Sequence, residues 1–239
     1  VGDNPGLDSS VGVVIDGVSR ARTATAMSDL GPLDRIEILK GPQSDVYGKG
    51  ASAGVIKVVS KLPSFTPDTE VTLDAGNMGA YGASLYTTGK LSDHWAGSLF
   101  VTKRKRDGQY HVHTGDGPAT RRDDGDQNYW SARGQLLYVP NDRASLRLIA
   151  DYTDRDEACC AAVNIAIGGT AGYIDALANG DGTAASVDPK ARQVWSNRPL
   201  NQRLKDGGGL AQRDLKLNDE IQLNSITAVR RWDHANGYD

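Results

Sequence analysis

From Thr69 to the end of the chain, apolar and polar side chains alternate with a period of two, and this limits the possible folds more than any other feature. Successive side chains of a strand point to opposite faces, whereas a helix brings them back about every 3.6 residues. In "YWSARGQLLYV" (129–139), Trp130, Ala132, Leu136 and Tyr138 fall on one face, and Tyr129, Ser131, Arg133 and Gln135 on the other. In "SLRLIADYTD" (145–154), Leu146, Leu148, Ala150 and Tyr152 alternate with Arg147, Ile149, Asp151 and Thr153. "HWAGSLFVTK" (94–103) sets Trp95, Leu99 and Val101 against Ala96, Ser98 and Thr102. Strands are expected near 69–77, 80–91, 94–106, 127–139, 143–156, 209–217 and 220–233. One apolar and one polar face suits a transmembrane barrel with lipid outside and water inside. It suits a half-buried antiparallel sheet of a soluble protein equally well.

Connection lengths add a direction. The links "LSDH" (91–94), "PNDR" (140–143) and "LNDE" (217–220) are tight, whereas long loops are expected near 107–126 and 157–208. Short turns at one end and long loops at the other are the habit of an outer-membrane barrel. The first link on the long side, "GNMGAY" (76–81), is short and breaks the pattern. Tyr81, Trp95, Tyr129, Tyr138 and Trp232 lie near strand ends, where they suit interfacial girdles or ordinary sheet packing.

Composition excludes several classes. Net charge is -3 over 239 residues, so there is no basic field to drive nucleic-acid binding. No apolar run reaches the roughly 18 residues of a transmembrane helix. The chain opens "VGDNPG", without the basic and apolar regions of a signal peptide, which is expected to be removed or to lie outside this sequence. Its two cysteines, Cys159 and Cys160, are adjacent, a spacing of neither a CxxC pair nor a zinc site.

The first quarter is different. "RIEILKGPQSDVYGKGASAGVIKVVSK" (35–61) places two β-branched runs around a loop carrying Gly41, Gly48, Gly50 and Gly54. A phosphate-binding P-loop needs glycine, four residues, then Gly-Lys-Ser/Thr. Here Gly48-Lys49 is followed by Gly50, and Gln43 stands where the first glycine belongs. A dinucleotide fingerprint fails at Ala53, and "GVIKVVSK" after it reads as strand, not helix. The glycines therefore read as a tight strand–loop–strand unit.

Taken from Asp34 to Lys61, this segment resembles the end of the plug domain of TonB-dependent outer-membrane receptors. That family's pattern there runs [DE]-R-[IV]-E-[IV]-[LI]-[RK]-G-P, then [LV]-[YF]-G, small residues, and G-x-I-N-[IV]-[VT]-[ST]-K. Asp34 to Pro42, Val46 to Gly48, Gly54, Ile56 and Val58 to Lys61 fall on it, and "VGVVIDGV" (11–18) is similar to the preceding plug strand. Lys57 replaces the usual Asn, while Asp45 and Ala53 stand where smaller residues are common.

The resemblance implies a mostly β chain. Residues 1–64 would be the C-terminal part of a plug domain, and residues 65–239 the N-terminal portion of a barrel of about 22 strands when whole. About seven strands of roughly ten residues fit in that span. The end "HANGYD" is not the aromatic-terminated strand typical of such barrels, so an internal piece is expected, with an open edge prone to aggregation. The plug motif residues Arg35, Glu37, Lys40, Gly41, Pro42, Tyr47, Gly48 and Gly54 are expected to shape or gate the plug. Ile36 and Ile38 would face its core, with Arg35 and Glu37 pairing with charges of the barrel lumen. The implied function is energy-dependent import across the bacterial outer membrane. Ferric siderophore is the expected cargo, with cobalamin, haem or oligosaccharide as alternatives. Partners would be TonB, reached through a segment ahead of the plug strands, together with ExbB and ExbD. No enzyme activity, cofactor or nucleic-acid partner is implied. The competing reading is a soluble secreted β-protein such as a carbohydrate-binding module; a passive porin would have no counterpart of residues 11–61.

Smaller signals remain. "KRKR" (103–106) and "RRDDGD" (121–126) could meet lipopolysaccharide phosphates or an anionic iron chelate, or form a solvated loop of mixed charge. His111 and His113 make half a metal site without a completing ligand. "DDGD" (123–126) and "NGDG" (179–182) lack the closing Glu of an EF-hand loop. Cys159-Cys160 would form a vicinal disulfide or pair with cysteines elsewhere. No catalytic residue stands in a recognisable motif.

Overall fold

The structure, a computed structural model, describes residues 9–20, 29–48, 50–114, 121, 123–160, 162–163, 165–177, 188–196 and 198–237. "NGDG" lies outside the described residues.

Strands β1 (Val11–Ile15), β2 (Val18–Ser19), β3 (Leu33–Lys40) and β4 (Gly54–Ser60) form one small sheet, with the helical turn α1 (Ser44–Tyr47) between β3 and β4. The order is β2-β1-β4-β3; β1 runs parallel to β4, and the other neighbours are antiparallel. β1 and β2 join through Asp16-Gly17, both at positive φ (49° and 80°), the backbone that a two-residue hairpin turn demands. This sheet has apolar clusters on both faces. Val13, Ile15 and Val58 take in Leu30 and Ile56, while Val14, Ala51 and Val55 take in Leu39 and Tyr47.

Ile36 and Ile38 correct the expectation for β3. They lie opposite Val58 and Ile56, on the face of the first cluster, yet they are 56% and 66% exposed. The reason is position: β3 is the outer strand of its sheet, and the cover over β1 and β4 does not extend to it.

The second sheet is an up-and-down wall. β5 (Asp68–Gly76), β6 (Ala80–Lys90) and β7 (Trp95–Arg106) come first. A long connection carrying β8 (Tyr110–His113) and β9 (Asp123–Asp124) follows, then β10 (Gln127–Asn141) and β11 (Ala144–Ala158). A longer one carries α2 (Ala171–Leu177) and β12 (Gln193–Trp195) before β13 (Asn201–Lys216) and β14 (Gln222–Asn236). The wall order is β14-β13-β11-β10-β7-β6-β5, every pair antiparallel, and the sheet does not close on itself. Three tight turns sit at one end and both long connections at the other, where the short β5–β6 link also lies. β13 starts at Asn201, eight residues before the expected 209. "NQRLKDGG" is polar and glycine-bearing and reads as loop, but β11 and β14 supply ladder partners along all of it.

The face assignments from alternation match the structure. Leu99, Val101, Trp130, Leu136, Leu148 and Tyr152 are exposed on the outer face. Ser131, Arg133, Gln135, Arg147, Ile149 and Thr153 are buried on the inner face, under the small sheet. Trp95 stacks on Tyr138 at the tight-turn end (4.6 Å between centroids) and Trp130 meets Tyr152 toward the loop end (5.3 Å). These pairs make two outward aromatic levels. Tyr129 leaves the girdle set: it is 7% exposed on the inner face, under the Arg155 guanidinium. Trp232 leaves it too, because it pairs with the inward Asp206.

The two long connections share a sheet of their own, β12-β8-β9, with β12 parallel to β8. His113 stacks on Trp195 at 4.2 Å within it. The pairing of β8 with β12 was not legible in the sequence, since the two strands lie about 80 residues apart in different connections.

Candidate functional site: the seam between plug sheet and wall

The small sheet is held against the inner face of the wall by buried charge. Asp16 follows the last residue of β1, and β4 ends on Ser60, whose N–H and hydroxyl both donate to the Asp16 carboxylate at 2.8–2.9 Å. From the wall, Arg133 of β10 and Arg147 of β11 donate to the same carboxylate, the latter at 3.4 Å. The three side chains are only 2%, 4% and 6% exposed. Arg147 also donates to Ser60 Oγ (2.7 Å) and Gln135 Oε1 (2.6 Å), and Gln135 Nε2 donates to the Lys61 carbonyl (3.2 Å). Two arginines and one aspartate would be costly alone, but multiple charge-assisted bonds offset much of their desolvation.

The network continues along the wall. Arg133 reaches Asp151 at 3.5 Å, and Arg230 of β14 bridges Asp151 (2.7 Å) and Asp206 (2.8 Å). Arg20, just beyond β2, stands 3.8 Å from Asp206. Burial pushes its guanidinium below the usual range, and Asp151 and Asp206 pull it back up. A second contact lies to the side. Asp29 accepts from Thr102 Oγ1 (3.4 Å) and faces Arg104 (3.5 Å), while Gly31 sits against the Phe100 ring.

The motif residues of the first quarter occupy a different place. Arg35 donates to Asp34 and Glu37 (both 2.7 Å), and Lys57 donates to Glu37 (2.7 Å). These hydrogen bonds hold the Glu37 carboxyl below its usual range, Lys57 contributing most, and raise both cations. Among the described residues, the partners of Arg35 and Glu37 are neighbours on the small sheet itself. Lys40 is exposed; Gly41 N–H bonds to the Ala53 carbonyl (3.1 Å) beside Pro42; Tyr47 covers an apolar cluster; Gly48 ends α1; Gly54 begins β4.

Sequence reasoning missed the seam as a site. The available signal was a pair of arginines, Arg133 and Arg147, central on inner strand faces, together with an aspartate in "VIDGV". Inward charge at mid-strand needs a partner, and none lies on the wall strands beside them except Asp151.

At the loop end, a cavity of about 360 Å³ is lined by Arg121, Asp123, Asp156, Arg198 and Arg203 among others. Its charges are largely paired, Arg121 with Asp126 and Asp156, Arg203 with Asp156. Burial raises the Asp126 carboxyl, against hydrogen bonding from the Ala158 N–H. Among the described residues, no three His, Cys, Asp or Glu side chains come together as metal ligands. Cys159 and Cys160 are bonded to each other where β11 enters the longest connection. Intact-mass measurement after alkylation should find no label before reduction and two after; two thiols labelled at once would reject the bridge.

A small sheet latched inside a strand wall is the arrangement of a plugged barrel, and residues 2–55 match the family model of the TonB-dependent receptor plug domain. The chain resembles a fragment of a TonB-dependent receptor. It is 32% identical over 119 residues to the ferrioxamine receptor of Yersinia enterocolitica, covering 50% of this chain and 15% of that protein. The ferrioxamine B receptor of Salmonella typhimurium strain LT2 is 39% identical over 62 residues, 26% of this chain and 9% of that protein. The fold of the ferric yersiniabactin uptake receptor FyuA from Yersinia pestis superposes with a TM-score of 0.76 at 21% identity, over 95% of this chain and 32% of that one. The pyoverdine receptor FpvA from Pseudomonas aeruginosa gives 0.68 at 16% identity, over 97% and 31%. The chain therefore spans a third or less of the length of these relatives. They are outer-membrane transport receptors, and the soluble carbohydrate-binding alternative has no support.

Proposed function

We propose that this chain forms the plug (residues 1–64) and the opening wall (residues 65–239) of a receptor that imports a ferric siderophore across the outer membrane. The observation that carries the reading is the seam. A plug bonded through Asp16 to two wall arginines blocks the lumen, yet the bonds are few and polar enough to part when pulled. Relatives named for ferrioxamine, yersiniabactin and pyoverdine support the cargo class. TonB, driven by ExbB and ExbD, would supply the pull, and lipopolysaccharide would surround the wall. The segment from Arg35 to Gly54 would keep the plug one body while it moves, its charges engaged with each other.

The test is uptake of radioactive iron by iron-starved cells of the source bacterium. Deleting the gene should abolish uptake from one hydroxamate or mixed-ligand siderophore of a panel, and deleting tonB should do the same. Undiminished uptake across the panel, with loss of cobalamin or haem use instead, would overturn the cargo assignment.

A further inference from the structure

Resting on that membrane placement, we propose that Lys103 and Lys105 form a docking site for a phosphate-bearing headgroup of an outer-leaflet lipid, lipopolysaccharide. The run "KRKR" divides by strand parity. Arg104 and Arg106 turn inward, to Asp29 and Asp74 and to the Gly125 carbonyl respectively. Lys103 and Lys105 turn outward and are exposed.

Their height on the wall fits a headgroup. Below them on the same face come the exposed Val101 and Leu99, then Trp95 at the tight-turn end. The step from Trp95 to Lys103 is about 27 Å along the strand, or about 20 Å of membrane height at a tilt near 40°. The lysines thus begin where the apolar band of such a wall stops. There a lysine costs little, whereas at mid-membrane it costs about 2–4 kcal/mol. The aromatic level at this end, Tyr81 and Trp130, stands directly beside them: Tyr81 pairs with Lys105 and Trp130 with Lys103.

The local charge is uncompensated. Their ladder neighbours are Tyr81 and Asn128 for Lys105, and Ala83 and Trp130 for Lys103. None of these is acidic. Lys103 donates only to Asn128 Oδ1 (2.7 Å), and Lys105 has no ion pair among the described residues. The outward Lys205, by contrast, sits between Asp154 and Asp233 in the ladder and is balanced. Two ammonium groups with no acidic partner among the described residues, and with aromatic rings beside them, match a phosphorylated headgroup whose chains run down the apolar face.

The receptor purified from outer membranes in mild detergent should carry lipopolysaccharide, counted by native mass spectrometry. K103A/K105A should reduce the bound amount at least about fivefold, the scale expected of two interfacial lysines. K103R/K105R should retain it, and K216A at the tight-turn end should leave it unchanged. Equal lipid on the alanine pair and the wild type would overturn the site. So would release of the lipid by millimolar inorganic phosphate, which would mark a site for soluble anions. Siderophore uptake by the alanine pair, followed separately, keeps this result distinct from the cargo assignment.

Discussion

Replacing Asp16 with alanine should loosen the plug in its wall by about 3–5 kcal/mol, the range for removing one partner of a buried ion pair. The carboxylate is the only acid bonded to both Arg133 and Arg147 among the described residues, and it also fixes Ser60. Its loss strands Arg147 on Ser60 and Gln135 and leaves Arg133 only the 3.5 Å contact to Asp151. In the full receptor, the expected result is faster proteolysis of the plug and increased entry of a bulky antibiotic that the outer membrane normally excludes. Asp16→Asn, which keeps the shape without the charge, should fall between wild type and alanine. Adding Arg147→Met to Asp16→Ala should cost less than the sum of the two, because the stranded cation is gone. Arg35→Ala is the contrast: its partners are exposed neighbours on the plug, so permeability should stay at wild type. Wild-type proteolysis and permeability for Asp16→Ala would mean that the seam does not hold the plug.

The wall was legible because its information is local. Alternation in 129–139 and 145–154 put the residues it assigned, from Tyr129 to Tyr138 and from Leu146 to Thr153, on the faces they occupy, since strand parity depends on nothing beyond the strand. The seam was not legible, because Arg133 meets Asp16 across 117 residues and only the docked sheets bring them together. The same holds for β8 and β12, three or four residues each, which have no pattern until they pair. Ile36 and Ile38 failed for a related reason. Parity put them on the right face, but burial depends on what lies over that face, and over an outer strand that is other structure.

Gly54→Ala should be the most damaging single-methyl change in the plug. Gly54 begins β4, the strand between β1 and β3, and it pairs with Val11 on one side and Lys40 on the other. Its φ is 158°, and a Cβ there would lie 2.6 Å from the Leu39 carbonyl oxygen, which is backbone and cannot turn aside. Either β3 moves away, losing ladder bonds, or β4 shifts and opens the cluster of Val14, Ala51 and Val55. Strain and overpacking together should cost about 3–4 kcal/mol. Gly41→Ala provides the scale. Gly41 also has positive φ, 85°, but no heavy atom lies within 4 Å of its would-be Cβ, so only the backbone term of about 1–2 kcal/mol applies. In the purified receptor, the plug of Gly54→Ala should be digested at a protease concentration that leaves Gly41→Ala intact. Equal resistance of the two would mean that the Leu39–Gly54 approach does not constrain the plug and that β3 and β4 can separate without cost.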